Sequence, residues 1–383
     1  MAVHFESSEY AARQAQALAN MAAEGLDGLL LFRQESMYYL TGYDSFGFCF
    51  FQCLVLSADG RLTLLTRAPD LRQAQNTSIL GDIRIWTDDA AAEPQQMLKD
   101  ILADQNFAGK RIGVEYDAYG LTAASGKKLD AALHGFCHLT DASFLVSQQR
   151  LIKSPAELAY VRRAGALADD AWQVALDLTA SGVNEGEILA GMQGAVFRGG
   201  GDYAGNEFII GSGNDALLCR YFSGRRQLDR QDQLTLEFAG AYRHYHACMM
   251  RTIVIGAADD HQRHMFLACT NALDAAKAAL RPGRPIGEVF DAHAAVMDAA
   301  GLNHARLNAC GYSLGAVFAP IWMDYPMFYH GNPVIAAPGM VFFLHMILMD
   351  SQKNQAMTLG ETVLVTDGPP ERLSAAPIEM VVR

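Results

Sequence analysis

Between Asp232 and Gly256 the chain crowds Glu237, His244, His246, Cys248 and Arg251 into a stretch that otherwise reads as strand. A carboxylate, two imidazoles and a thiol this close together could ligate a metal, or could run acid–base and nucleophilic chemistry without one. A glutamate in the run Leu234-Thr-Leu-Glu-Phe-Ala239 is costly to bury without a purpose or a partner, and Arg251 is one candidate partner. His244 and His246 share a face if the strand is regular. Glu237 and Cys248 fall on opposite faces by strict alternation, unless a bulge or the turn at Gly240 resets the count. Of the two histidines, His246 is the better candidate to orient Glu237 or act as a general base.

Further along, the planar fork of Arg220 suits a substrate carboxylate, and its alternative is a surface arginine beside Arg225 and Arg226. Trp322, Asp324 and His330 lie on a proline and aromatic loop of the kind that sets specificity. Near the start, Tyr43, Phe46 and Phe48 lie in a glycine-punctuated aromatic loop. They either pack a core or wall a ligand pocket shared with another domain or subunit.

The elements that must hold these residues divide the chain in two. Residues 8–24 read as a helix, 26–32 as a buried strand, 50–56 and 62–66 as strands around a turn at 58–60, 92–105 as a helix and 111–114 as a strand. Together they form an α/β unit over 1–150. Ser154, Pro155 and Glu157 then spell a capping box with proline at the first helical position, so a long helix opens a second domain over 151–383. Helices at 155–180 and 185–197 precede strands at 208–211 and 234–238. Helices at 260–280 and 287–300 precede strands at 340–348 and 356–365. The repeated order predicts a duplicated α+β half, with the site in the crevice between the halves.

Composition narrows the function. With 383 residues the chain has enough length for two cores, and a net charge of −12 offers no basic field for nucleic acid. Seven scattered cysteines without a Cys-x-x-Cys pair predict reduced thiols in a cytoplasm. The first residues lack a signal-peptide pattern, and no apolar run approaches the roughly 18 residues of a membrane span. The glycine-rich stretch 198–203 lacks the spacing and lysine of a phosphate loop. A small-molecule substrate is the expected partner, with no nucleic acid and no membrane.

Tyr39-Leu-Thr-Gly-Tyr43, Lys153-Ser-Pro-Ala-Glu157, the 237–252 stretch, Pro338-Gly-Met340 and Glu361-Thr-Val-Leu-Val-Thr-Asp-Gly368 resemble, in this order, the creatinase/prolidase family. The resemblance implies a smaller α/β N-terminal domain followed by a pita-bread catalytic domain. The family's peptidases hold two divalent metals on two aspartates, a histidine and two glutamates. Anchored on Arg251-Thr252, those five positions hold Glu237, Cys248, Tyr312, His345 and Gly360, the last beside Glu361. No position keeps its residue type, and such a set cannot bridge two hard cations. A single softer ion on Cys248, His345 and Glu237 is the remaining metal option.

Gly200-Gly-Asp-Tyr203, Ser212-Gly213, Glu237-Phe-Ala-Gly240, Tyr245-His246 and Gly311-Tyr-Ser-Leu-Gly315 resemble the branch of the family that works without metal, the ectoine hydrolase and creatinase branch. In that branch the residue matching Glu237 is a nucleophile, and a catalytic histidine stands where this chain offers Arg220. The expectation is a metal-independent, cofactor-free, homodimeric hydrolase of C–N bonds in a small zwitterion. Glu237, His246, Tyr312 and His345 would be catalytic, and Tyr43, Phe46, Arg220, Cys248, Trp322, Asp324 and Glu361 would contact substrate. The competing expectations are a metal-dependent Xaa-Pro dipeptidase with rearranged ligands and a binding protein that does no chemistry.

Overall fold

The computed structural model describes residues 3–220 and 224–383, and the chain separates into two compact units, Met1–Arg150 and Leu151–Arg383. The first unit is built on six strands, β1 (Gly28–Leu31), β2 (Cys53–Ser57), β3 (Leu62–Arg67), β4 (Asp82–Trp86), β5 (Arg111–Val114) and β6 (His138–Asp141). They lie in the order β4-β3-β2-β1-β5-β6, with β1 antiparallel to β2 and parallel to β5. All four residues of β1 are buried because both faces of the sheet are covered: Leu29 and Leu31 enter one core cluster and Leu30 the other.

The aromatic loop of this unit resolves one alternative. Tyr43 is fully buried in the core, and its hydroxyl lies 3.2 Å from Gln52 Oε1 and 3.3 Å from Thr66 Oγ1. The expectation that it walls a ligand pocket is corrected: its polar end is already satisfied inside the unit. Phe46 stands out from the unit, 78% exposed.

In the second unit the capping box forms as read. Ser154 Oγ accepts from the Glu157 amide, and the Ser154 amide donates to Glu157 Oε2 at 2.9 Å, opening the helix Pro155–Leu178. A second helix, Glu185–Arg198, leads to β7 (Ile209–Ser212), β8 (Asp232–Tyr242) and β9 (Tyr245–Ile255). The helices Asp260–Ala279 and Gly287–Ala299 then precede β10 (Gly311–Ser313), β11 (Asp324–Met327), β12 (Val341–Asp350) and β13 (Gln355–Leu364), followed by the short β14 (Glu371–Arg372) and β15 (Val381–Val382). The sheet runs β11-β10-β12-β13-β9-β8-β7, so the strands of the two halves meet where β13 pairs with β9. Each half has two helices and its own strands, which is the duplicated pita-bread arrangement. Among the described residues no helix is long and apolar enough to cross a membrane.

One turn decides which side chains face the site. Arg243 and His244 have φ of 50° and 65°, and they close β8 onto β9 as a two-residue loop. The register then pairs Glu237 with Met250, Ala239 with Cys248 and Ala241 with His246. Directly paired residues share a face, so Glu237 and Cys248 lie on the same one. Gly240 is on the other face, inside β8 and away from the turn. A Cβ there would sit 2.0 Å from the Ala164 carbonyl oxygen of the long helix, so only glycine lets strand and helix approach. The face opposite Gly240 is left for chemistry.

Candidate active site

Glu237 is 92% buried, its carboxyl beneath a cavity of about 170 Å³, space for roughly six waters. Its one hydrogen-bond partner among the described residues is Tyr312 on β10, whose hydroxyl donates to Oε1 at 3.0 Å. Trp322 Nε1 donates in turn to the Tyr312 oxygen at 2.8 Å. His345, on β12 beside β10, packs its ring 5.6 Å from that of Tyr312. Arg220 reaches the cavity wall from the loop after β7 and brings its positive charge to bear on Glu237. Ile209, Leu307, Met323, Met327 and Ile347 supply apolar walls.

Burial sets the proton states. Loss of water pushes the Glu237 carboxyl from 4.5 up to about 7, against the opposing effects of the Tyr312 hydroxyl and the Arg220 charge. The same burial, with the carboxylate of Glu237 and then Cys248 nearby, raises the Tyr312 phenol, so it remains a donor. Desolvation, reinforced by His293 and Arg220, lowers His345 to about 3 and keeps its imidazole neutral; its buried Nδ1 has no hydrogen-bond partner among the described residues. The site therefore offers a carboxyl poised near neutrality, a phenol that donates to it and a neutral imidazole.

The remaining expected site residues divide. Trp322 belongs, through its indole. Cys248 shares the face of Glu237, but it is buried and is not among the residues lining the cavity; burial first, then Glu237, raises its thiol well above the usual range. His246 is corrected in role: fully buried, it pairs with Ala241, four residues along β8 from Glu237 and so on the order of 13 Å away. Its Nε2 accepts from the Gly205 amide at 2.9 Å and its Nδ1 meets the His244 carbonyl at 2.8 Å, so neither nitrogen is free to act as a base. His244 sits in the turn, stacked on Phe318, and does not share the strand face.

Glu361 and Asp324 are also corrected. Gly360 pairs with His345 and faces the site, so Glu361 points to the opposite, helix-covered side. There its fully buried carboxylate is held by Lys277 at 3.2 Å and Arg372 at 2.6 Å. Arg251 is on that side too, with its guanidinium 5.9 Å from the Trp172 ring, which removes it as a partner for Glu237. Asp324 lies with Lys153 against Gly315 and accepts from the Tyr325 amide; it is not a cavity residue. Asn206, Cys219 and Met323, with the apolar wall residues, are cavity residues missed from sequence. Asn206 lies three residues beyond the glycine-rich stretch 198–203, where neither the rejected phosphate loop nor the Gly200-Gly-Asp-Tyr203 resemblance reaches it.

Residues 159–367 match the family model described as metallopeptidase family M24, and residues 13–152 match the creatinase/prolidase N-terminal domain. An uncharacterized hydrolase/peptidase of Sinorhizobium fredii is 29% identical, covering 100% of this chain and 99% of its own. The ectoine hydrolase of Halomonas elongata is 26% identical over 99% of this chain and 98% of its own. The crystal structure of a prolidase from Thermococcus sibiricus superposes with a TM-score of 0.89 at 19% identity, covering 99% of this chain and 100% of that one. The residues at the family's five metal positions do not fit a pair of divalent ions: one carboxyl titrating near neutrality, a thiol and a phenol held protonated, one imidazole and a glycine. Among the described residues no group of three His, Cys, Asp or Glu is arranged to hold a metal.

Proposed function

The chain belongs to metallopeptidase family M24, a family of hydrolases, and from that premise we propose that it hydrolyses a C–N bond of a small zwitterion, an ectoine-like cyclic amidine or a related amidine, guanidine or amide, without a metal. The observation that carries this reading is Glu237, the one acid at the five metal positions, buried under the cavity on a single neutral donor. A cationic amidinium is the natural guest for such a group. Its charge favours the ionised carboxylate, and it presents an electrophilic carbon. Arg220 at the wall suits the substrate carboxylate.

Two roles are open to Glu237. As nucleophile, a carboxylate oxygen adds to the amidine carbon and the C=N π pair moves to nitrogen. The ring amine then leaves with a proton, and water attacks the same carbon, returning the carboxylate and giving an amide. As base, Glu237 takes the proton of the attacking water directly. Either way amidine and water yield amide and amine, and the neutral His345 imidazole at the cavity wall can hydrogen-bond the attacking water. The similarity to ectoine hydrolase supports this substrate class, and the donor set supports chemistry without metal ions.

The test is incubation of the purified protein with ectoine, acyclic amidines, guanidino acids and Xaa-Pro dipeptides, with and without chelator, followed by proton NMR. We expect amine and amide from an amidine, unaffected by chelation and lost in Glu237→Gln. Cleavage of a dipeptide that needs added divalent metal would overturn the reading. So would an amidine that raises the melting temperature yet is recovered unchanged.

A further inference from the structure

The buried His246 has both ring nitrogens engaged, and what they engage leads back to the active site. Its Nδ1 meets the His244 carbonyl, which can only accept, so Nδ1 carries the proton and Nε2 accepts from the Gly205 amide. Gly205 is pressed against the backbone of the next loop: a Cβ there would lie 2.8 Å from the Ile321 carbonyl oxygen and 3.1 Å from the Cα of Trp322. The adjacent Asn206 accepts from the Trp322 amide through Oδ1 at 3.0 Å. Two neighbouring contacts of the 205–206 loop thus fix the backbone of Trp322, whose indole N–H bonds the Tyr312 hydroxyl, which bonds Glu237.

We propose that His246 is a positioning residue: by pinning Gly205 against the backbone of Trp322 it keeps the indole on Tyr312 and the Tyr312 hydroxyl on Glu237. The acceptor that Gly205 needs must be neutral and must reach across the hairpin. A leucine has no acceptor, whereas the amide oxygen of glutamine reaches about as far as Nε2. The proposal concerns the unliganded protein and does not depend on the substrate.

The chain has three tryptophans, so the indole N–H groups of the 15N-labelled protein give three resolvable NMR signals, assigned with Trp322→Phe. Trp172, stacked on Phe238, and Trp86, bonded to the Phe51 carbonyl, serve as internal controls. In His246→Leu we expect the Trp322 indole to exchange with deuterium about tenfold faster, as for loss of one ordered hydrogen bond, while the controls keep their rates. His246→Gln should restore slow exchange. Gly205→Ala, which forces the loops apart while keeping the His246 side chain, should reproduce the His246→Leu result and keeps the test valid if that variant fails to fold. Unchanged Trp322 exchange in the folded leucine or alanine variant overturns the proposal, as does equal acceleration of all three indoles or absence of rescue by glutamine.

Discussion

The Tyr312 hydroxyl donates to Glu237 Oε1 at 3.0 Å although the two residues are 75 apart in sequence and come from different halves of the duplicated domain. Neither strand places both groups. The pair exists because β13 joins the halves by pairing with β9, which brings the β10 and β12 side chains over the inner face of β8. A phenol on a buried carboxyl is a weak substitute for the cations that would hold two acids ionised, and it leaves Glu237 able to change its proton state during turnover.

That proton state has a stability consequence. Burial raises Glu237 from 4.5 to about 7, so the folded chain binds this proton more tightly than the unfolded one. The contribution to stability is full below about pH 4.5 and is lost as the pH rises through about 7. A shift of about 2.5 units corresponds to on the order of 3 kcal/mol. Glu237→Gln is neutral at every pH, so in urea unfolding it should match the wild type near pH 4 and exceed it by about that amount near pH 8. Parallel stability profiles for the two proteins would show that the carboxylate is not desolvated.

Removing the donor moves the reaction's pH dependence. If the reactive form is the carboxylate, kcat/KM on an amidine substrate should rise with pH through about 7, the value to which burial carries Glu237. Tyr312→Phe deletes the hydroxyl that favours the ionised form. The rising limb should then move up by about half to one unit, as for one lost hydrogen bond, with activity recovered at higher pH. A uniform drop at all pH values would mean that Tyr312 acts on the substrate instead.

Arg220 should affect binding before chemistry. It reaches the cavity wall with no carboxylate ion-pair partner among the described residues, and its fork suits a substrate carboxylate. A hydrogen bond to a charged group contributes about 1.5–3 kcal/mol, so Arg220→Gln should raise KM about tenfold to hundredfold for substrates bearing a carboxylate. For analogues lacking that group KM should barely change. Equal effects on both kinds of substrate would place Arg220 in the chemical step.

The parts of this site legible in the sequence were those written locally. Ser154 and Glu157 announce a helix start, and continuous apolar runs mark the buried strands. The five family positions named Glu237, Tyr312 and His345, which the fold brings together. What sequence hid was parity. The hairpin turns at Arg243 and His244, neither of them a residue that usually marks such a turn, so strict alternation puts Cys248 on the wrong face and gives His244 a strand face that it does not have. The roles of His246 and Glu361 depended on partners remote in the chain, Gly205 for one and Lys277 for the other.

Glu361 offers the sharpest check on that parity. One residue from the site-facing Gly360, it points to the helix-covered side, where Lys277 and Arg372 bind its buried carboxylate and Arg251 adds a third positive charge. Breaking a buried ion pair by removing one partner costs about 3–5 kcal/mol, and less where the cations can reach water, as Lys277 and Arg372 partly do. Glu361→Gln should therefore lower stability by roughly 2–3 kcal/mol, read as an earlier urea midpoint. The kcat and KM of the folded fraction should stay at wild-type values, because the side-chain bonds of Glu361 run to Lys277 and Arg372 on the helix-covered side of the sheet, away from the Glu237 carboxyl. A substrate-contacting Glu361 would do the reverse, raising KM in a protein of unchanged stability.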